Sequence, residues 1–281
     1  AVRKLTRDDV VAFHQSWIHP AKAEIFVVGD TSLKEVTKLL DKQFGNWKPK
    51  AAAAPAKNFA VALPEAKSRI VLIDRPNSPQ SFIMGGKVLD AKGSDDLVAL
   101  RAANEIFGGD FTSRINMDLR ETKGWSYGVR SQVAGNEDRV PFMVIAPVQT
   151  NQTGPSLKVL IDHAKDVAGA KPITKAERDV TITSNILELP GSYEQSVAVL
   201  GQMRADALFK RPFDYAEKLA GKYEALTAES MTAEFKSKVD ADKMVWVIVG
   251  DAAKVKPQLE AIGLPVEMQS QAAKPTDTNA N

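Results

Sequence analysis

Cysteine is absent from this 281-residue chain, which excludes disulfides, thiolate nucleophiles and cysteine-ligated metals and leaves the redox compartment open. Histidine is scarce: His14, His19 and His163 are all there are. His14 and His19 are five residues apart, about 140° apart on a helix, and Pro20 stops that helix. A helical zinc site needs two histidines on one face, as in H-x-x-E-H, and no such string occurs, so no metal site is expected in this chain. His14 is expected in a core, among Val10, Phe13 and Ile18, and His163 on the surface. No stretch approaches ~20 consecutive apolar residues, and the opening residues lack a charged-then-apolar leader pattern. Charge of one sign is missing too: 37 basic against 35 acidic residues leave a formal +2. Clustered basic residues, which nucleic acid or an anionic membrane would select, are not found. A G-x-S-x-G elbow, a Walker loop and a dinucleotide glycine fingerprint are likewise absent. The expectation is a soluble protein with no nucleic-acid and no membrane partner.

What the chain does contain is one segment twice. Leu5 to Asp30 aligns with Leu226 to Asp251 without a gap, at a constant offset of 221 residues, with identities at 8 of 26 positions. Other exchanges keep their character, as in Val27 and Ile248 or Ile18 and Val239. Self-similarity at so long an offset implies a duplicated structural unit rather than a short-period solenoid. The repeated piece closes the second unit, so the first copy is expected to close a preceding homologous unit. The organisation predicted is a helix-strand-helix remnant over residues 1–48, an Ala/Pro-rich linker over 49–66, a complete unit over 67–265 and a disordered tail over 266–281.

Local signals fill in the elements. Thr6 with Asp9 and Ser32 with Glu35 are capping boxes that open two helices, and Ala23 to Val28 between them reads as a strand. Strands are expected at Arg69 to Asp74, Phe82 to Gly85, Trp125 to Val133, Val140 to Val148 and Met244 to Val249. Helices are expected at Asp95 to Phe107, ending in the cap signal Gly108-Gly109, at Ser113 to Glu121, and at 155–167, 175–189 and 193–209. Two shorter ones follow from about Asp214 and Thr227, and a last one spans 252–262. Strands early, helices late and a returning strand predict an α+β fold with an antiparallel sheet packed against helices.

The segment Phe107 to Arg130 (FGGDFTSRINMDLRETKGWSYGVR) is the chemically suggestive one. Arg120 falls near a helix end and Tyr127 beyond the Gly124 turn, so a fold-back brings a guanidinium and a phenol to one region. The guanidinium is a fixed fork of donors for carbonyls and carboxylates, and the phenol adds one O–H donor. Spacing alone favours a surface arginine paired with an acid and a tyrosine packed on the sheet. Gly108-Gly109 before Phe111-Thr112-Ser113 reads as a helix-helix turn, with anion binding at a helix N-terminus as the alternative.

The string FGGDFTSRINMDLRETKGWSYGV resembles the signature in the second half of pitrilysin/insulinase-type zinc metallopeptidases, a family that includes mitochondrial processing peptidase. LTRDDVVAFHQSWIHPAKAEIFVVGD is similar to the segment ending that family's units, and LIDRPNSPQSFIMGG to the opening of the second unit. The resemblance implies two homologous α+β units facing each other, with zinc on an H-x-x-E-H helix of one. An Arg and a Tyr with six residues between them contact substrate from the other, and Arg120 and Tyr127 match that pair. The helix DDLVALRAANEIF carries no histidine, so the resemblance makes this chain the non-catalytic half. Zinc would then sit in a partner catalytic unit, in cis or in trans, and the assembly would cleave peptides. Arg120 and Tyr127 would bind substrate and stabilise the oxyanion, with no nucleophile or base in this chain. A structural scaffold related to these peptidases, or a peptide-binding module, is the alternative.

Overall fold

The computed structural model describes residues 2–50, 53–63, 65 and 67–269. In chain order the elements are α1 (Arg7–Trp17), α2 (Leu33–Phe44), β1 (Arg69–Asp74), β2 (Gln80–Val88), α3 (Val98–Asn104), α4 (Arg114–Asn116), β3 (Arg130–Val133) and β4 (Pro141–Gln149). They continue with α5 (Thr153–Ala168), α6 (Lys175–Glu188), α7 (Ser196–Leu208), α8 (Tyr215–Glu224), α9 (Ala228–Lys238), β5 (Val245–Gly250), α10 (Ala252–Glu260) and β6 (Val266–Gln269). The chain divides into two compact units: Ala1–Ala62 with Pro190–Leu208, and Leu63–Leu189 with Phe209–Asn281. The stretch carrying α7, which the sequence reading assigned to the later unit, groups with the earlier one.

In the larger unit six strands form one sheet in the order β3-β4-β2-β5-β1-β6. The pairs β2/β4, β2/β5 and β3/β4 are antiparallel, but β1 runs parallel to both β5 and β6. The sheet is therefore mixed rather than purely antiparallel. β6 also corrects the expected tail: residues 266–269 pair with β1, while 270–281 lie outside the described residues. Side chains alternate across each strand. One set, including Ile70, Leu72, Ile83, Phe142, Val144, Trp246 and Ile248, is buried under the helices. There α3, α5 and α9 contribute Leu100, Leu157, Leu160, Met231 and Phe235 to a single core. Phe107, Phe142 and Phe235 meet at its centre with ring centroids 5.2–6.1 Å apart, each burying an apolar side chain that contributes about 1.5–3 kcal/mol.

The repeat is visible in the backbone. At the 221-residue offset α1 and α9 begin and end together, each opened by a threonine capping box, Thr6 with Asp9 and Thr227 with Ser230. The turns Pro20–Lys22 and Ala241–Lys243 also coincide, capped by His19 and Asp240 accepting from Ala21 N–H and Asp242 N–H. The copies then part. Residues 245–250 are the buried strand β5, whereas the expected strand Ala23 to Val28 joins no ladder among the described residues. A strand is defined by hydrogen bonds to a neighbour, and its own sequence cannot supply one. Exposure follows suit. Val10, Ile18, Ile25 and Val27 are exposed, but their counterparts Met231, Val239, Trp246 and Ile248 are buried. His14, expected in a core, is exposed, while its counterpart Phe235 is fully buried.

Candidate functional site

Arg120 and Tyr127 are carried by the chain between α4 and β3. Helix α3 starts later than its sequence suggests, and both it and α4 widen into π-helical turns, Glu105–Gly109 and Met117–Thr122. Gly108 and Gly109 do not form a left-handed cap, since the capping residue Asp110 is extended. They are needed for close approach: a Cβ on Gly108 would lie 2.4 Å from Ile115 Cδ1 and 2.6 Å from Ser131 Oγ. Arg120 sits in the second π turn. Gly124 then reverses the chain at φ +63°, closed by Gly124 N–H to Arg120 O and Trp125 N–H to Leu119 O.

Beyond the turn, residues 125–129 are irregular and the ladder of β3 begins only at Arg130, later than the strand expected from Trp125. This irregular stretch is tethered by side chains instead. Gln149 donates its backbone N–H to Trp125 O and its Nε2 to Gly124 O. Ser126 Oγ donates to Pro147 O at 2.5 Å and accepts from Gly128 N–H. The buried Asn116 is central: its Nδ2 donates to Phe111 O at 2.7 Å and its Oδ1 accepts from Val129 N–H at 2.9 Å. It binds the 109–113 loop to the approach to β3. A second buried pair, Ser131 Oγ donating to Asn104 Oδ1 at 2.6 Å, fixes β3 to the end of α3.

On this frame Tyr127 is 89% exposed, and its hydroxyl makes no hydrogen bond within the described residues. It is not packed on the sheet. The Arg120 guanidinium lies over the Phe111 ring, Cζ 4.4 Å from the centroid, with Nε 3.4 Å from Glu121 Oε1. Arg120 and Tyr127 flank the Gly124 turn, and no hydrogen bond joins their side chains among the described residues. Asp118, two residues before Arg120, receives Lys123 Nζ and lies 2.9 Å from His163 Nε2 of α5. Burial raises the Asp118 pKa, but the bonds to Lys123 and His163 outweigh it and hold the carboxyl below its ordinary value. His163 is thus half-buried and engaged rather than free on the surface.

The sheet face away from the helices completes the surroundings. Arg130, Ile145, Met84, Val247 and Val71 form one row across five strands, and Pro147, Phe82, Val249 and Ile73 the next. The aliphatic and aromatic members of these rows are half-buried or exposed, Phe82 and Met84 among the most exposed. Helix α3 (VALRAAN) carries no histidine, and among the described residues no three His, Cys, Asp or Glu side chains gather as a metal-ligand set. No helix of the described residues is long and apolar enough to cross a membrane. Sequence reasoning missed Asn116 and Asn104, because their partners lie 13 and 27 residues away.

The chain is 26% identical over 265 residues to an uncharacterised zinc protease of Streptomyces coelicolor, covering 93% of the chain and 54% of the relative. It therefore spans about half the length of that protein. Among solved structures, a peptidase M16 inactive domain from Pseudomonas fluorescens superposes with TM-score 0.76 at 27% identity, covering 88% of this chain and 58% of that one. A protease from Helicobacter pylori superposes with TM-score 0.78 at 18% identity, over 88% and 60% of the two chains. The sequence model described as "Peptidase M16 inactive domain" matches residues 4–185, and the chain belongs to that family.

Proposed function

We propose that this chain is the zinc-free, substrate-binding half of a pitrilysin-type zinc metallopeptidase, and that peptides are cleaved only by its assembly with a zinc-bearing homologous unit. The observation that carries the reading is the unpartnered, 89% exposed Tyr127 on a turn with Arg120, beside an open apolar sheet face. A tyrosine held out in water by a frame of buried amide bonds contributes nothing to the core, so its position is explained by what it donates to. Tyr127 meets the developing oxyanion, where one preorganised donor is worth about 10²–10³ in kcat. Arg120 holds a substrate carbonyl or carboxylate. The residues of α3 do not fit a zinc site, so the metal belongs to the partner unit and no step runs through this chain's own helix. The first copy of the repeat supports the same reading. Its apolar face, exposed here and buried in the second copy, suits it to close the sheet of that homologous unit.

Kinetics of the full-length assembly on a peptide it cleaves test this. Tyr127→Phe is expected to lower kcat by ~10²-fold or more with folding and zinc content unchanged. Arg120→Ala is expected to act mainly on KM, with Arg120→Lys a poor rescue. Wild-type kinetics in Tyr127→Phe and Arg120→Ala would leave a scaffold as the better account.

A further inference from the structure

Away from Arg120 and Tyr127, a cavity of about 540 Å³ opens between the π turn Glu105–Gly109, the loop into α4 and helix α6. Glu105, Asp110, Glu177 and Glu188 line it against one guanidinium, Arg114, and that guanidinium is already bound to both oxygens of Glu177 at 2.7 Å. The wall thus carries an excess of negative charge. Glu105 accepts one hydrogen bond, from Asn185 Nδ2 at 2.5 Å. Burial raises its pKa above the ordinary value, the Asn185 bond offsets this only in part, and Asp110 and Glu188 raise it further.

Ser113 provides an independent observation. It occupies the N-cap of α4, where serine ordinarily accepts from the first turn, yet it makes no such bond. The residue is 2% exposed, lines the cavity, and its Oγ has no hydrogen-bond partner. A buried hydroxyl without a partner and a half-buried carboxylate with only one both cost free energy. A single group that donates several N–H bonds and carries positive charge satisfies both. Ile106, Ala176 and Val180 add an apolar flank suited to a methylene stem.

We propose that this cavity binds an alkylguanidinium or alkylammonium group, its head between Glu105, Asp110 and Ser113 and its stem along Ile106 and Val180. Basic side chains of a polypeptide and free alkylamines share this chemistry. The proposal does not rest on the role of Tyr127. It is tested by calorimetric titration of the whole chain with agmatine, and with an end-blocked arginine peptide beside its citrulline counterpart. Saturable binding of agmatine or of the arginine peptide is expected, weakened about tenfold or more in Glu105→Gln, as for loss of a charge-assisted hydrogen bond. The citrulline peptide should bind at least about tenfold more weakly than the arginine peptide. Binding of agmatine as tightly as the peptide assigns the site to free amines, and binding of the peptide alone assigns it to a basic side chain. Asp110→Asn, at an exposed position, gives a second reading if Glu105→Gln fails to fold, with weakened binding again expected. No binding of either probe at about 10 mM, or wild-type affinity in every folded variant, overturns the proposal.

Discussion

The guanidinium of Arg120 rests on the ring of Phe111 with Cζ 4.4 Å from the centroid, and the loop bearing Phe111 is itself tied down by Asn116. The stacking orients the arginine without consuming its outer donors. An exposed cation–π contact is worth about 0.5–1 kcal/mol. Phe111→Ala is therefore expected to raise KM of the full-length assembly about two- to fivefold with kcat nearly unchanged, and Phe111→Tyr to restore it. An unaltered KM in Phe111→Ala would show that the ring does not set the arginine.

Asn116 serves two backbone groups, Phe111 O and Val129 N–H, from a buried position. Asn116→Ala leaves both without that partner, at a cost of about 1–3 kcal/mol each when the group stays dry. Denaturant unfolding should report a loss of about 2 kcal/mol or more, and Tyr127-dependent kinetics should deteriorate in parallel. A variant as stable as the wild type would mean that water enters and replaces both bonds.

Acid lability is expected at the junction of α4 and α6. Burial alone would raise the Glu177 pKa, but the bonds from Arg114 and from Thr174 N–H and Oγ1 prevail and hold it at about 2, against an ordinary 4.5. The folded value is depressed, so the stability it contributes is fully present above about pH 4.5 and disappears as pH falls through about 2. The unfolding free-energy gap between wild type and Glu177→Gln should be constant near neutrality and close over that window. A gap independent of pH would remove the ion pair as its cause.

Glu105 has the opposite sign. Its raised folded pKa, caused chiefly by burial, means that the folded state holds its proton more tightly than the unfolded one, so stability is lost as pH rises through these values. Glu105→Gln should therefore unfold at a higher temperature than wild type at pH 7 and converge with it in acid. A lower melting temperature at pH 7 would contradict this.

The two repeat copies allow a matched pair of substitutions. Ile18 is exposed and Val239, its counterpart, is buried. Ile18→Ser should change stability by about 0.5 kcal/mol or less while reducing concentration-dependent association. Val239→Ser should cost about 2 kcal/mol or more through lost burial and an added buried hydroxyl. Equal effects at the two sites would show that the earlier face is covered in solution.

Much of this architecture is legible in the chain because it is locally encoded. The capping boxes at Thr6 and Ser32 open helices at the predicted residues, since a hydroxyl and a residue three positions on suffice. The Gly124 turn follows from glycine's freedom at positive φ. What escaped depends on partners distant in sequence. The segment Ala23 to Val28 has strand composition but no neighbour here, and β6, only Val266–Gln269, is a strand because β1 lies beside it. In the first π turn Gly108 packs against Ile115 and Ser131, where a Cβ would not fit, and no local pattern announces this. At the site the Arg120 and Tyr127 spacing can be read directly, whereas Asn116 reveals its role only once Val129 is folded back onto it.

The place of β5 in the sheet governs how the protein is made. Residues 245–250 lie between β2 and β1, so a strand made more than a hundred residues after both is an interior plank. Until it emerges from the ribosome, β1 has neither of its neighbours and β2 has only β4, so both edges of β1 and one of β2 are unpaired in the nascent chain. The ladders of β1 and β5 join residues more than a hundred positions apart, a topology that folds slowly and stays prone to aggregation while it waits. A chain terminated before Val245 would not yield a smaller sheet. It would yield a broken one, a natural target for chaperones and proteases.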